Sequence, residues 1–166
     1  MKKQKGFSLI ELLIVVAIIL IIAAIAIPNL LRSRIAANEA SAVGSVRTLT
    51  TAQVTYATTY GTGYAGLAAL GGAAPCVAAA ATACLIDPVL TAGTKSGYTV
   101  NTVANTGAGT TLSPNQGFET NATAVSTSTG TRAFCSDQSG VIRYAVQAAA
   151  IGIAVNTCSG IATILQ

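Results

Sequence analysis

Glu11 is the first residue whose placement calls for chemistry. It lies near the start of GFSLIELLIVVAIILIIAAIAIPNLL, residues 6–31, in which all sixteen positions from Leu12 to Ile27 are Leu, Ile, Val or Ala. With Phe7, Leu9 and Ile10 ahead and Leu30 and Leu31 behind, this run approaches the ~20 residues a helix needs to cross a bilayer. A carboxylate at the bilayer centre costs about 2.5–3.5 kcal/mol on insertion scales. Roughly one turn from the segment's start the cost is smaller, and the charge still asks for a cation. The nearest candidate is the amine that a cut before Phe7 would create.

The second set is four cysteines, Cys76, Cys84, Cys135 and Cys158, all beyond the apolar run. An even number in a chain bound for an oxidising compartment reads as two disulfides. Of three possible connectivities the sequential one, Cys76–Cys84 with Cys135–Cys158, is favoured, and loop closure then stabilises by roughly 2.5 and 3.5 kcal/mol. A four-cysteine zinc site wants close pairs, which these spacings do not supply. Asp137, followed by Gln138 and Ser139, offers too few hard oxygens for calcium and reads as a turn-forming Asx residue.

Much else is excluded. The chain has no histidine, so neither a His-based triad nor an imidazole metal site can be built. The five acids are scattered, and the glycines at 61, 63, 66, 71 and 72 do not follow a strand as a phosphate loop requires. We therefore expect no catalytic residue, no metal, no cofactor and no enzyme. Charged residues are 8% of the chain against 52% hydrophobic, with net charge +4. Three of the nine basic residues precede Phe7; without residues 1–6, six Lys and Arg face five acids. Lys95, Arg132 and Arg143 are scattered, so no basic face for nucleic acid is expected.

These residues need elements to hold them. One helix is expected from Phe7 to about Thr59, on the order of 80 Å if continuous, kinked at Pro28. Its second half carries a narrow stripe of Ile35, Ala42, Val46, Leu49, Tyr56 and Tyr60, interrupted by Gln53, to lie on a sheet. Arg34, Asn38, Glu39, Ser41, Ser45 and Thr48 form the opposite, polar face. Gly44 and the threonines at 50, 51, 55, 58 and 59 are poor helix formers, so fraying is expected near the end. Tyr60–Tyr64 (YGTGY) is a cap and turn, and residues 65–70 could make one helical turn. Strands are expected at 98–104, 118–125, 132–136 and 141–146, the last two joined by a turn at 137–140. Residues 148–166 read as a weakly structured tail drawn back to Cys135 if Cys158 bonds it. Asn121-Ala122-Thr123 matches a glycan acceptor pattern that is common by chance in Thr-rich chains.

Lys5-Gly6 followed by Phe7-Ser8-Leu9-Ile10-Glu11-Leu12-Leu13, with Pro28 in register, resembles the class III signal of type IV prepilins and type II secretion pseudopilins. An ordinary secretory signal could be cut after Ala24-Ile25-Ala26. The acid inside the apolar run and the proline just past that site speak against it. The resemblance implies an α+β pilin fold, a long and partly transmembrane N-terminal helix on a four-stranded antiparallel sheet. It implies a leader at 1–6, an assembly half of the helix at 7–31, an amphipathic half at 32–60, a variable loop region at 61–96, and a sheet with a disulfide-closed tail at 97–166. It further implies cleavage between Gly6 and Phe7 by a prepilin peptidase, N-methylation of Phe7, and Glu11 pairing with the Phe7 amine of a neighbouring subunit. Leu20 stands where many members carry a glycine.

The function so implied is a structural subunit of a type IV pilus-like filament, a helical homo-oligomer. The subunit would wait in the inner membrane, single-pass with a cytoplasmic N-terminus, until an assembly platform and motor extract it to the cell surface. The alternatives are a pseudopilin of a type II secretion system, or a minor pilin acting as an adhesion or DNA-binding module.

Overall fold

A computed structural model describes residues 8–73, 75–104, 115–146 and 157–165. The chain divides into two compact units, residues 1–34 and 35–166. Helix α1 (Leu9–Tyr60) runs without a break and carries Pro28 inside it. In the described part of the first unit no side chain is buried, and all but the half-buried Ala23 are exposed. This stretch of α1 is long and apolar enough to cross a membrane.

The second half of α1 persists despite its threonines. Thr48, Thr50, Thr51, Thr55 and Thr58 each donate a hydroxyl to the carbonyl four residues back, at 2.9–3.0 Å. Each hydroxyl shares the carbonyl that the same residue's helical N–H uses, so it is satisfied without breaking the helical ladder, and the helix ends at Tyr60, next to the expected end at about Thr59. Gly61 then takes φ +65° and gives its N–H to the Ala57 carbonyl at 3.1 Å. A left-handed glycine of this kind ends a helix at little cost.

Two single-turn helices follow, α2 (Leu67–Leu70) and α3 (Pro88–Thr91). Asp87 caps α3 by accepting the Leu90 N–H at 2.7 Å, with Pro88 in the first turn. The sheet is an antiparallel meander of β1 (Thr94–Lys95), β2 (Tyr98–Ala104), β3 (Phe118–Ala124), β4 (Arg132–Asp137) and β5 (Arg143–Val146), in that order. It has five strands rather than the four expected. The addition, β1, is two residues long, and Ser96 and Gly97, at φ +51° and +73°, fold it back on β2. Two successive positive φ values make the turn whose twist suits a hairpin.

The core lies between α1 and one face of this sheet. Ala42, Val46, Leu49 and Tyr56 from the helix cluster with Tyr98, Val100, Ala122, Ala124 and Phe134 from the strands. A fully buried Val, Leu or Phe among them contributes roughly 1.5–3 kcal/mol. The other face is not left to solvent. Ala133 and Cys135 cluster there with Cys158, and Ile161 packs against them, which is why β3 and β4 lack the alternating burial of a one-sided strand. Beyond them, Tyr144 N–H meets Thr163 O at 3.0 Å and Leu165 N–H meets Ile142 O at 2.9 Å. The C-terminal residues therefore pair along the free edge of β5 and blunt it.

Candidate functional site

Glu11 sits in the first turn of α1, exposed, and its Oε2 accepts the Ser8 N–H at 2.9 Å. This is the reach-back half of a capping box, and it satisfies a donor the helix cannot use. The negative charge also lies at the positive end of the helix dipole. Leu9, Leu12, Leu13 and Val16 line a shallow apolar groove beside it. Gly6 and Phe7, the expected cleavage and methylation positions, lie outside the described residues.

In the second unit the densest polar constellation is centred on Glu39, which the sequence places on a solvent-facing polar side. It is instead 5% exposed. Arg132 reaches its Oε2 through Nε at 2.8 Å and Nη2 at 2.6 Å, while the N–H and hydroxyl of Thr131 both meet Oε1 at 2.9 Å. Burial pushes the Glu39 carboxyl up, but the Arg132 guanidinium and the two Thr131 donors outweigh it and hold it below the usual carboxylate range. Beside it Asn38 donates to Thr129 O at 3.0 Å and Ser41 to Ser96 Oγ at 2.9 Å. Ser45 is buried as well. The polar side of α1 is thus a second packing surface, gripping the β3–β4 loop.

The Arg132 guanidinium also lies 5.7 Å over Phe134 and 5.4 Å over Tyr144, within cation–π range. Tyr98 donates its hydroxyl to Arg132 O at 2.9 Å. Burial, with the Glu39 charge adding and Arg132 opposing, pushes the Tyr98 phenol up to about 12. Glu39, Arg132 and Phe134 border a shallow groove with Val43, Arg47 and Leu165, but their polar atoms are spent on joining elements.

Gln53, the polar break in the apolar stripe, is fully buried and satisfied. It donates to Ala65 O at 2.6 Å and Thr102 Oγ1 at 2.8 Å, and accepts the Ala65 N–H at 3.0 Å. A primary amide is the side chain that can donate and accept in one place, so Gln53 holds the chain leaving α1 against β2. One turn on, Tyr56 gives its hydroxyl to Ala80 O at 2.6 Å, pinning the alanine-rich loop.

Cys76 is bonded to Cys84, with Cα atoms 6.0 Å apart, and Cys135 to Cys158, 5.7 Å apart. Asp137 accepts the N–H of Ser139 at 2.8 Å and Gly140 N–H returns to Asp137 O at 2.9 Å, the Asx turn that the sequence suggests. Asn121 is buried in β3 opposite Cys135, out of reach of a glycan in the folded chain. Among the described residues no three His, Cys, Asp or Glu gather where they could hold a metal ion.

Glu39 and Glu119 are the residues that sequence reasoning missed. Two buried acids in a weakly charged head would have been a signal only if their partners, far along the chain, could have been located.

A family described as the prokaryotic N-terminal methylation motif matches residues 1–27. The chain is 64% identical over 39 residues to the type IV wide pilus major component PilA4 of Thermus thermophilus, a match covering 24% of this chain and 30% of that protein. It is 46% identical over 54 residues to the type IV major pilin protein PilA of Myxococcus xanthus, covering 32% of this chain and 24% of that one. The chain thus matches less than a third of the length of either relative. No solved structure matches it significantly.

Proposed function

We propose that this chain is the structural subunit of a type IV pilus-like filament, assembled through its N-terminal helix from a membrane-held precursor. The observation that carries the reading is the conjunction at the N-terminus. A methylation motif over residues 1–27 and identity to two major pilus subunits coincide with a helical stretch whose apolar side chains are exposed among the described residues. Such a surface is stable in lipid or against other copies of itself, and in water it is a liability.

On this reading a prepilin peptidase cuts between Gly6 and Phe7, Phe7 is N-methylated, and an assembly platform and motor draw the helix out of the inner membrane. Neighbouring helices then replace lipid around residues 7–26. Packing changes little in apolarity during that exchange, so the selective term is electrostatic. A correctly placed neighbour pairs its Phe7 amine with Glu11, while a misplaced one leaves a carboxylate unpaired in an apolar bundle. Pro28 permits a bend between the two halves of α1. The reading assigns no catalysis to the chain. Both curated relatives are named as major pilus components, in keeping with this reading; a secretion pseudopilin stays the alternative.

The test is Glu11→Ala in producing cells. Membrane insertion should be preserved, since the substitution makes the span more apolar, and surface filaments should be lost or sharply reduced. Normal filament numbers in that variant would remove Glu11 from assembly.

A further inference from the structure

Glu119 is 3% exposed on β3, and among the described residues no cation is paired with it. A buried carboxylate without a counter-charge is costly unless hydrogen bonds hold it. Here they come from the C-terminal segment. Oε1 accepts the Cys158 N–H at 2.7 Å and the Thr157 hydroxyl, and Oε2 accepts the Thr157 N–H at 3.1 Å. Glu119 stands opposite Asp137, and Asn121 opposite Cys135, in the β3–β4 register. Side chains alternate along a strand, so Glu119 and Cys135 are diagonal neighbours on the face that residues 157–161 cover. One holds this segment by hydrogen bonds at Thr157 and Cys158, the other covalently at Cys158 itself.

We propose that Glu119 is a positioning residue for the Cys135–Cys158 disulfide, docking the C-terminal segment so that the two sulfurs meet before they are joined. The chemistry is thiol–disulfide exchange with a disulfide oxidant, RSSR. One cysteine thiolate attacks RSSR, forming a mixed disulfide and releasing one thiol RSH; the second cysteine thiolate displaces the other RSH and closes the bridge. Two electrons and two protons pass to the oxidant. Closing the bridge from the mixed disulfide is intramolecular, so it depends on the effective concentration of one cysteine at the other. Glu119 sets that concentration by holding the backbone N–H of Cys158 itself. Linkage makes the effect reciprocal, so the bridge in turn strengthens the docking at Glu119. This proposal is independent of the filament reading, because it concerns the unassembled chain.

The experiment measures both disulfides in the full chain in detergent, equilibrated against reduced and oxidised glutathione, for wild type, Glu119→Ala and Glu119→Gln. The effective concentration of Cys135–Cys158 should fall about tenfold or more in Glu119→Ala, as expected for losing hydrogen bonds to a charged group. It should fall less in Glu119→Gln, which keeps one acceptor oxygen. Cys76–Cys84, closed by another part of the chain, should be unchanged in both variants. No change at Cys135–Cys158, or an equal loss at both bridges in both variants, would overturn the proposal.

Discussion

Single residues carry most of the specificity of the head, and the Glu39 clamp shows how. Removing Glu39 abolishes four hydrogen bonds that anchor Thr131 and Arg132 to α1. Arg132 keeps 39% of its side chain exposed and can be rehydrated, so the cost falls short of that of a fully buried pair. We expect Glu39→Ala to lower the unfolding free energy by about 2 kcal/mol, read by denaturant titration. The pH dependence follows the same group. Its pKa is lower folded than unfolded, so the stability it contributes is complete above the ordinary carboxylate range and is lost as pH falls through its depressed value. Glu39→Gln should flatten that acid limb. Gly130 is a second such position, since a Cβ there would lie 2.0 Å from the Tyr98 hydroxyl. Tyr98 is buried and hydrogen-bonded, and cannot swing away. Gly130→Ala should therefore cost about 2 kcal/mol or more, measured as a shift in the unfolding midpoint.

At the scale of elements, what was legible in the sequence is what local chemistry decides. The unbroken apolar run, the stripe through Val46, Leu49 and Tyr56, the glycine after Tyr60 and the Asx turn at Asp137 each depend on neighbours within a few residues. Strands β2 to β5 fall within two residues of their expected bounds. Glu39 was not legible, because its partner Thr131 is 92 positions away and nothing local distinguishes a buried helical glutamate from an exposed one. Glu119 is hidden in the same way, 39 positions from Cys158. Strand β1 escaped because two residues carry no periodicity; its one signal was the Ser96-Gly97 turn. Gln53 reads as an interruption in a stripe, yet it joins α1, β2 and the chain at Ala65. Gln53→Leu would bury the Ala65 N–H and carbonyl without partners, and should cost about 2–3 kcal/mol, with exchange of the Ala65 amide accelerated before global unfolding.

For the whole molecule, the two units divide the work. The head is closed on itself, with its sheet covered by α1 on one face and by the disulfide-held C-terminal segment on the other. Among the described residues of the N-terminal unit no side chain is buried, an apolar surface of the kind that lipid or other copies would cover. On the proposed function, that asymmetry is what a subunit anchored first and polymerised later requires. The most direct measurement is intact-mass and N-terminal peptide mass spectrometry on filaments sheared from producing cells. A chain beginning at methylated Phe7, abundant in the filament fraction and carrying both disulfides, is the predicted result. A chain beginning at Met1 or after Ala26, or one confined to membranes while filaments form without it, would contradict the central claim.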